Sequence, residues 1–115
     1  MEYRDGTLIQ EDGTGLMFIV MDGKLSVIEN SEIFDASNAT TIATAKLEQL
    51  RRERGPAIGG DAYLAIVDGD GYLVNNGEKR YLTGEAAIRK YNFNRRKFSE
   101  RSAADLPASA GTDLG

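Results

Sequence analysis

The sequence contains no cysteine and no histidine. Disulfides, thiol nucleophiles and imidazole bases are thereby excluded, with nearly every zinc, haem or iron–sulfur site, because those chemistries draw on the two missing side chains. A Ser-His-Asp triad cannot be built without an imidazole, and no serine occupies a G-x-S-x-G elbow. Long apolar runs are also missing: none approaches the roughly 20 residues of a membrane-spanning helix. The opening Met1-Glu2-Tyr3-Arg4-Asp5 lacks the basic residues and apolar stretch of a secretory signal. The expectation is a non-enzymatic chain with no metal, no cofactor, no membrane insertion and no secretion signal.

What is present is an ordinary globular composition. The chain has 115 residues, 41% apolar and 28% charged, which suits one compact domain and is too short for two independent cores. Its net charge of −4 is unevenly spread. Residues 1–37 hold eight acids and two bases, residues 38–83 six of each, and residues 84–115 six bases and four acids. Opposed ends of this kind favour association with a charged partner or head to tail with copies of the same chain.

The organising feature is an internal repeat. Asp12-Gly13-Thr14-Gly15 matches Asp68-Gly69-Asp70-Gly71 at an offset of 56, and Asp22-Gly23 matches Asn76-Gly77 at an offset of 54. The strand between them is two residues shorter in the second copy, a change that leaves every inward side chain inward because strands alternate with period two. The turn pairs predict strands over Gly6–Gln10, Leu16–Met21 and Lys24–Glu29, then over 62–67, 71–75 and 78–82. The unbroken apolar run Leu16 to Met21 suits a central strand covered on both faces. Asn30 is positioned to cap a following helical turn burying Ile33 and Phe34, matched in the second copy by Thr83 as cap and by Ala87, Ile88 and Tyr91 as buried residues. Asn92 is placed to end that helix in the left-handed conformation.

Between the copies, Ala39 to Arg54 reads as the clearest helix. It is opened by Ser37 or Asn38 and closed by Gly55-Pro56, with an apolar stripe of Ala39, Ala43, Leu47 and Leu50 beside Ile42. Arg51, Arg52 and Arg54 sit where the helix dipole favours cations, and Glu48 and Arg52 form an i,i+4 pair. Residues 94–101 extend the second helix or begin another, and the small, polar residues 102–115 form an extended or partner-bound tail. The predicted fold is α+β: two units, 5–37 and 59–93, each a three-stranded antiparallel β-meander plus a helix, joined by a central helix over 39–54 within a single domain spanning 1–101. Neither unit buries enough apolar surface alone, so the two share one core with approximate two-fold symmetry.

The candidate chemical constellations reduce to turn chemistry. Asp61, Asp68 and Asp70 lack EF-hand spacing, since a loop beginning at Asp68 needs an oxygen ligand at Tyr72, a glycine at Leu73 and a carboxylate at Lys79. The run 55–60 lacks the Gly-Lys-Ser/Thr ending of a phosphate loop, and Gly69-x-Gly71 lacks the third glycine of a dinucleotide fingerprint. Candidate partner-binding residues are Lys79, Arg80, Arg89, Lys90, Arg95, Arg96 and Lys97, the cations the second copy carries and the first lacks. Tyr63, Tyr72 and Tyr81 are candidates for stacking on a glycan.

Asn76-Gly77-Glu78-Lys79-Arg80-Tyr81-Leu82-Thr83, followed by Glu85-Ala86-Ala87-Ile88 and Asn92-Phe93, resembles a short repeat of phage virion and bacterial surface proteins. In that repeat an Asn/Asp-Gly turn, a Lys-Arg strand and an apolar helix recur before a phenylalanine. The first copy departs from it, with Leu25-Ser26 at the Lys-Arg position and no matching aromatic ending. The resemblance implies a structural or adhesive module of a larger assembly and carries no catalytic residue. The expected function is accordingly that of an accessory or tail-associated phage virion protein, located in the virion or in the cytoplasm before assembly and bound to other protein subunits, copies of itself among them. The alternatives are a carbohydrate-binding module and a nucleic-acid-binding accessory protein acting through Arg95, Arg96 and Lys97.

Overall fold

The computed structural model describes residues 3–49 and 53–115. Two four-stranded sheets dominate an α+β body. The first contains β1 (Leu8–Glu11), β2 (Met17–Met21), β3 (Lys24–Ile28) and β4 (Thr40–Ile42), in the order β3-β2-β1-β4. Helix α1 (Thr44–Gln49) follows β4. The second sheet contains β5 (Tyr63–Val67), β6 (Asp70–Asn75), β7 (Glu78–Leu82) and β8 (Phe98–Glu100), in the order β7-β6-β5-β8, with helix α2 (Glu85–Lys90) between β7 and β8.

The hairpins follow from their turn residues. Asp22 and Gly23, Asp68 and Gly69, and Asn76 and Gly77 all have positive φ at both positions, as two-residue type I′ turns require, and only Asx and glycine enter that region at low cost. Asn92 ends α2 at φ 56°, and the Asn30 side chain accepts the Glu32 N–H at 3.2 Å, both as the sequence predicts.

Each meander gains a fourth strand. β4 runs parallel to β1 with Ile9 opposite Thr40, and β8 runs parallel to β5 with Ala65 opposite Ser99. These pairings correct the predicted central helix over 39–54 and the helix over 94–101. Thr40-Thr41-Ile42 is β-branched, and the unpaired edge of β1 offers hydrogen bonds that a helix start in solvent does not, so strand wins over helical periodicity. The helix shrinks to α1, whose Leu47 joins Ile9, Phe18, Val20, Leu25 and Ile42 on the outer face of the first sheet. Leu50, Arg51, Arg52 and the Glu48–Arg52 pair lie outside the described residues or depend on them. The second copy's 94–101 becomes a 3₁₀ turn at Arg95–Lys97, capped by the Asn94 side chain, followed by β8. Thr83 is not the cap of α2: its N–H is donated to the Leu114 carbonyl at 3.0 Å, so it continues the strand, and Gly84 takes the cap position.

The trailing segments reveal how far the duplication runs. Along β3, the Leu25 N–H is donated to Glu53, Gly55 N–H to Leu25, Ile58 N–H to Val27 and Glu29 N–H to Ile58. Along β7, Lys79 N–H goes to Ser109, Gly111 N–H to Lys79, Leu114 N–H to Tyr81 and Thr83 N–H to Leu114. Every donor and acceptor in one set maps onto the other. Residues 109–114 are therefore the second copy's version of 53–58, laid along the edge of their own chain's sheet. Both equivalent sites are tight: a Cβ at Gly55 would stand 2.7 Å from Ser26 Oγ, and one at Gly111 3.1 Å from Arg80 Cγ.

The two sheets share one core. Leu8, Ile19, Ile28 and Ile58 of the first copy meet Leu64, Leu73, Leu82 and Leu114 at the equivalent positions of the second. Phe34 and Phe93 stack at 5.2 Å and form an antiparallel bridge, with Asp35 N–H donated to Asn92 and Asn94 N–H to Ile33. Phe34-Asp35 is thus the counterpart of Phe93-Asn94, so the first copy does have the aromatic ending, and the predicted match of Ile33 and Phe34 to Ala87 and Ile88 is corrected. The displacement arises because α2 is longer than the 3₁₀ turn Ser31–Ile33 that replaces it in the first copy.

Phe34→Ala and Phe93→Ala are each expected to cost about 3–5 kcal/mol in urea unfolding, with a double-mutant coupling of about 0.5–1.5 kcal/mol. Because Leu114 is a core residue at 1% exposure, Leu114→Ala should lower stability by about 2–5 kcal/mol, as Ile58→Ala should; a thermal melt unchanged by L114A contradicts this placement.

Candidate interaction surface

Six of the seven candidate cations fall into two groups. Lys79, Arg80 and Lys90 face the trailing segment. Lys79 exchanges main-chain bonds with Ser109 and Gly111. Arg80 makes a forked pair with Asp22, Nη1 to Oδ2 at 2.7 Å and Nη2 to Oδ1 at 2.9 Å, and donates from Nε to the Thr112 carbonyl at 2.7 Å. One guanidinium thus ties β7 to the β2–β3 turn of the other copy and to the trailing segment. The Lys90 ammonium donates to the Gly115 main-chain oxygen at 2.7 Å and sits 5.3 Å from the centre of the buried Tyr91 ring. Burial, then the Asp5 and Asp22 charges, raises the Tyr91 hydroxyl's pKa.

The second group surrounds a cleft of about 400 Å³ at the junction of the copies. Arg89 on α2 and Arg95 and Arg96 in the following 3₁₀ turn line it together with Asp35 and Asn38 of the first copy and with Ile88 and Phe93. Arg95 pairs with Glu85, and that hydrogen bond holds the Glu85 carboxyl below its ordinary value and raises Arg95 above its own. Asp35 accepts from the Ser37 hydroxyl at 2.7 Å and its N–H at 3.1 Å, which lowers its pKa. Asn94 caps the turn by accepting the Arg96 N–H, and the Asn38 amide donates to Asn92 Oδ1 at 3.4 Å. Lys97 turns away toward Glu32 at 3.9 Å. Arg89 and Arg96 make no side-chain hydrogen bond or ion pair among the described residues.

The tyrosines share the outer face of the second sheet. Tyr72 and Tyr81 are cross-strand neighbours with ring centres 5.7 Å apart, and the Arg101 guanidinium lies 4.4 Å over the Tyr63 ring. Asp61, Asp68 and Asp70 stay in turns or at a strand end, and no group of metal-ligating side chains forms among the described residues. No helix among them is long and apolar enough to cross a membrane. Sequence reasoning missed the first copy's contribution to the cleft, Asp35 and Asn38. The available signal was the Phe-Asx dipeptide shared by 34–35 and 93–94.

No protein-family model matches this sequence, and no curated protein does. Among solved structures, the chain is similar to one from "Structure of an intact ESX-5 inner membrane complex, Composite C3 model", at 12% identity and a TM-score of 0.38. The match covers 99% of this chain and 36% of that one, so this chain spans about a third of its length. A likeness at this level fixes neither fold nor function.

The Arg80 hydrogen bonds hold the Asp22 carboxyl below its ordinary value of 3.8, against some burial that would raise it. A depressed folded-state pKa contributes stability present above the unfolded value and lost as the pH falls through the folded one. With about half of the Asp22 side chain exposed, Asp22→Asn is expected to cost about 1 kcal/mol at neutral pH. Parent and variant should converge as the pH is lowered past 3.8; a gap that persists in acid, read by denaturant titration across pH, rules the ion pair out as its source.

Proposed function

We propose that this chain is a non-enzymatic interaction module of a larger protein assembly. The setting we favour is that of an accessory or tail-associated component of a phage virion. The observation that carries the reading is the divergence between the copies around a common scaffold. Inner core positions stay apolar in both, whereas the 3₁₀ turn Ala36-Ser37-Asn38 of the first copy is Arg95-Arg96-Lys97 in the second. A scaffold that keeps its core and changes one exposed turn to three cations has changed what it presents to partners and not how it folds.

Two further features support this reading. The missing cysteine and histidine remove the usual nucleophiles and bases of catalysis. The resemblance of residues 76–93 to virion and surface repeats supplies the phage setting. Nucleic-acid binding fits less well, because Tyr91 and Phe93, which interleave with the cations in sequence, are buried core residues at 3% and 4% exposure and present no face for base stacking.

Cross-linking of the full chain in its native particle, read by mass spectrometry, should join Lys97 and Lys90 to other subunits. Cross-links confined to the chain itself, with the protein sedimenting as a free monomer, would defeat the proposal.

A further inference from the structure

The cleft between the copies has features that select its occupant. Arg89 and Arg96, which make no side-chain hydrogen bond or ion pair among the described residues, are exposed planar forks suited to carboxylates or phosphates, Arg89 standing also in the field of the Glu85 carboxylate. Arg95, the third cation of the rim, is neutralised by Glu85. The same cleft is lined by Asp35 of the first copy, ionised and fixed in place by Ser37, with an acceptor-only carboxylate. The site therefore offers donors from the second copy and an acceptor from the first, beside the half-buried apolar side chain of Ile88.

A phosphate group has only acceptors and a negative charge, so it gains from the arginines and is repelled by Asp35. A nucleic-acid strand has the same difficulty repeated along its backbone, and no ring is free to stack its bases. An extended peptide meets both kinds of group: side-chain carboxylates for Arg89 and Arg96, main-chain N–H groups for Asp35, and aliphatic stems for Ile88. The acidic half of a second copy is a poorer occupant, because Asp22 and Glu32 are already turned to Arg80 and Lys97 of their own chain.

We infer that the cleft formed by Arg89 and Arg96 of the second copy and Asp35 of the first is a docking site for an extended acidic peptide of a partner protein. This rests on the interaction-module reading and names the chemistry of its partner. Both halves of the duplication contribute lining residues, so neither copy alone forms the site.

The test is isothermal titration of the full chain with a synthetic peptide alternating glutamate and serine, at low and at physiological salt. The parent should bind with an affinity that falls with salt, and Arg89→Ala with Arg96→Ala together should weaken binding by about tenfold or more. Lys46→Ala, an exposed cation on α1 away from the cleft, should leave it unchanged. All three positions are exposed, and matching melting curves establish that the variants are folded. Equal affinity in the double variant overturns the assignment, as does tighter binding of single-stranded DNA or inorganic phosphate than of the peptide by the parent. If native cross-links to other subunits persist in the double variant, the cleft assignment alone fails; if the parent shows no such cross-links, the module reading fails with it.

Discussion

The contact on which the architecture depends is the crossing of Phe34 and Phe93. They occupy equivalent positions in the two copies and stack on each other, so their contact lies on the pseudo-two-fold axis. The bridge beside them is reciprocal, one N–H donated in each direction, and two asparagine amides repeat the exchange: Asn30 donates to the Ala62 carbonyl and Asn92 to that of Gly6. Each copy thus pins the entry to the other's first strand. Remove the crossing and both inner sheet faces lose their cover together, because neither half has a core of its own.

Symmetry holds where burial is shared and fails where it is not. Leu8, Ile19, Ile28 and Ile58 have aliphatic counterparts across the axis. On the outer faces, Phe18 corresponds to Tyr72, Leu25 to Lys79 and Ile42 to Arg101. The first sheet keeps an apolar outer face because α1 lies on it, whereas among the described residues the second is covered by Leu106, a 3₁₀ turn and Arg101 over Tyr63, and polar substitutions there remain hydrated.

Much of this was legible in the chain. Type I′ turns advertise themselves through Asx-Gly pairs, so the six meander strands could be placed from short-range signals. β4 and β8 could not, because each is a three-residue strand stabilised by a parallel partner far away in sequence, without alternation to betray it. The last segment misled through composition: Ser, Ala and Gly suggested a loose tail, although Gly111 and Leu114 stand 56 residues from Gly55 and Ile58, the offset that relates Asp68-Gly69 to Asp12-Gly13. For the candidate surface, the sequence grouped seven cations by proximity, and three-dimensional placement separated those along the trailing segment from those at the cleft between the copies. Asp35 and Asn38 entered only because the axis brings distant turns together.

The segment 53–58 has a consequence for how such a molecule responds to force and to proteases. It is hydrogen-bonded along β3, and its continuation is clamped by Asn75 of the other copy, whose amide bridges the Ala57 carbonyl and the Gly59 N–H. It then leads directly into β5. A connection between duplicated units is ordinarily the slack that lets them swing apart and the site where chains are cut. Here the described part of the joint is bridged to β3 at Arg54 and Ile58 and held by the Asn75 amide from the other side, so the halves cannot swing apart at this segment, nor a protease extend it, without breaking those bonds.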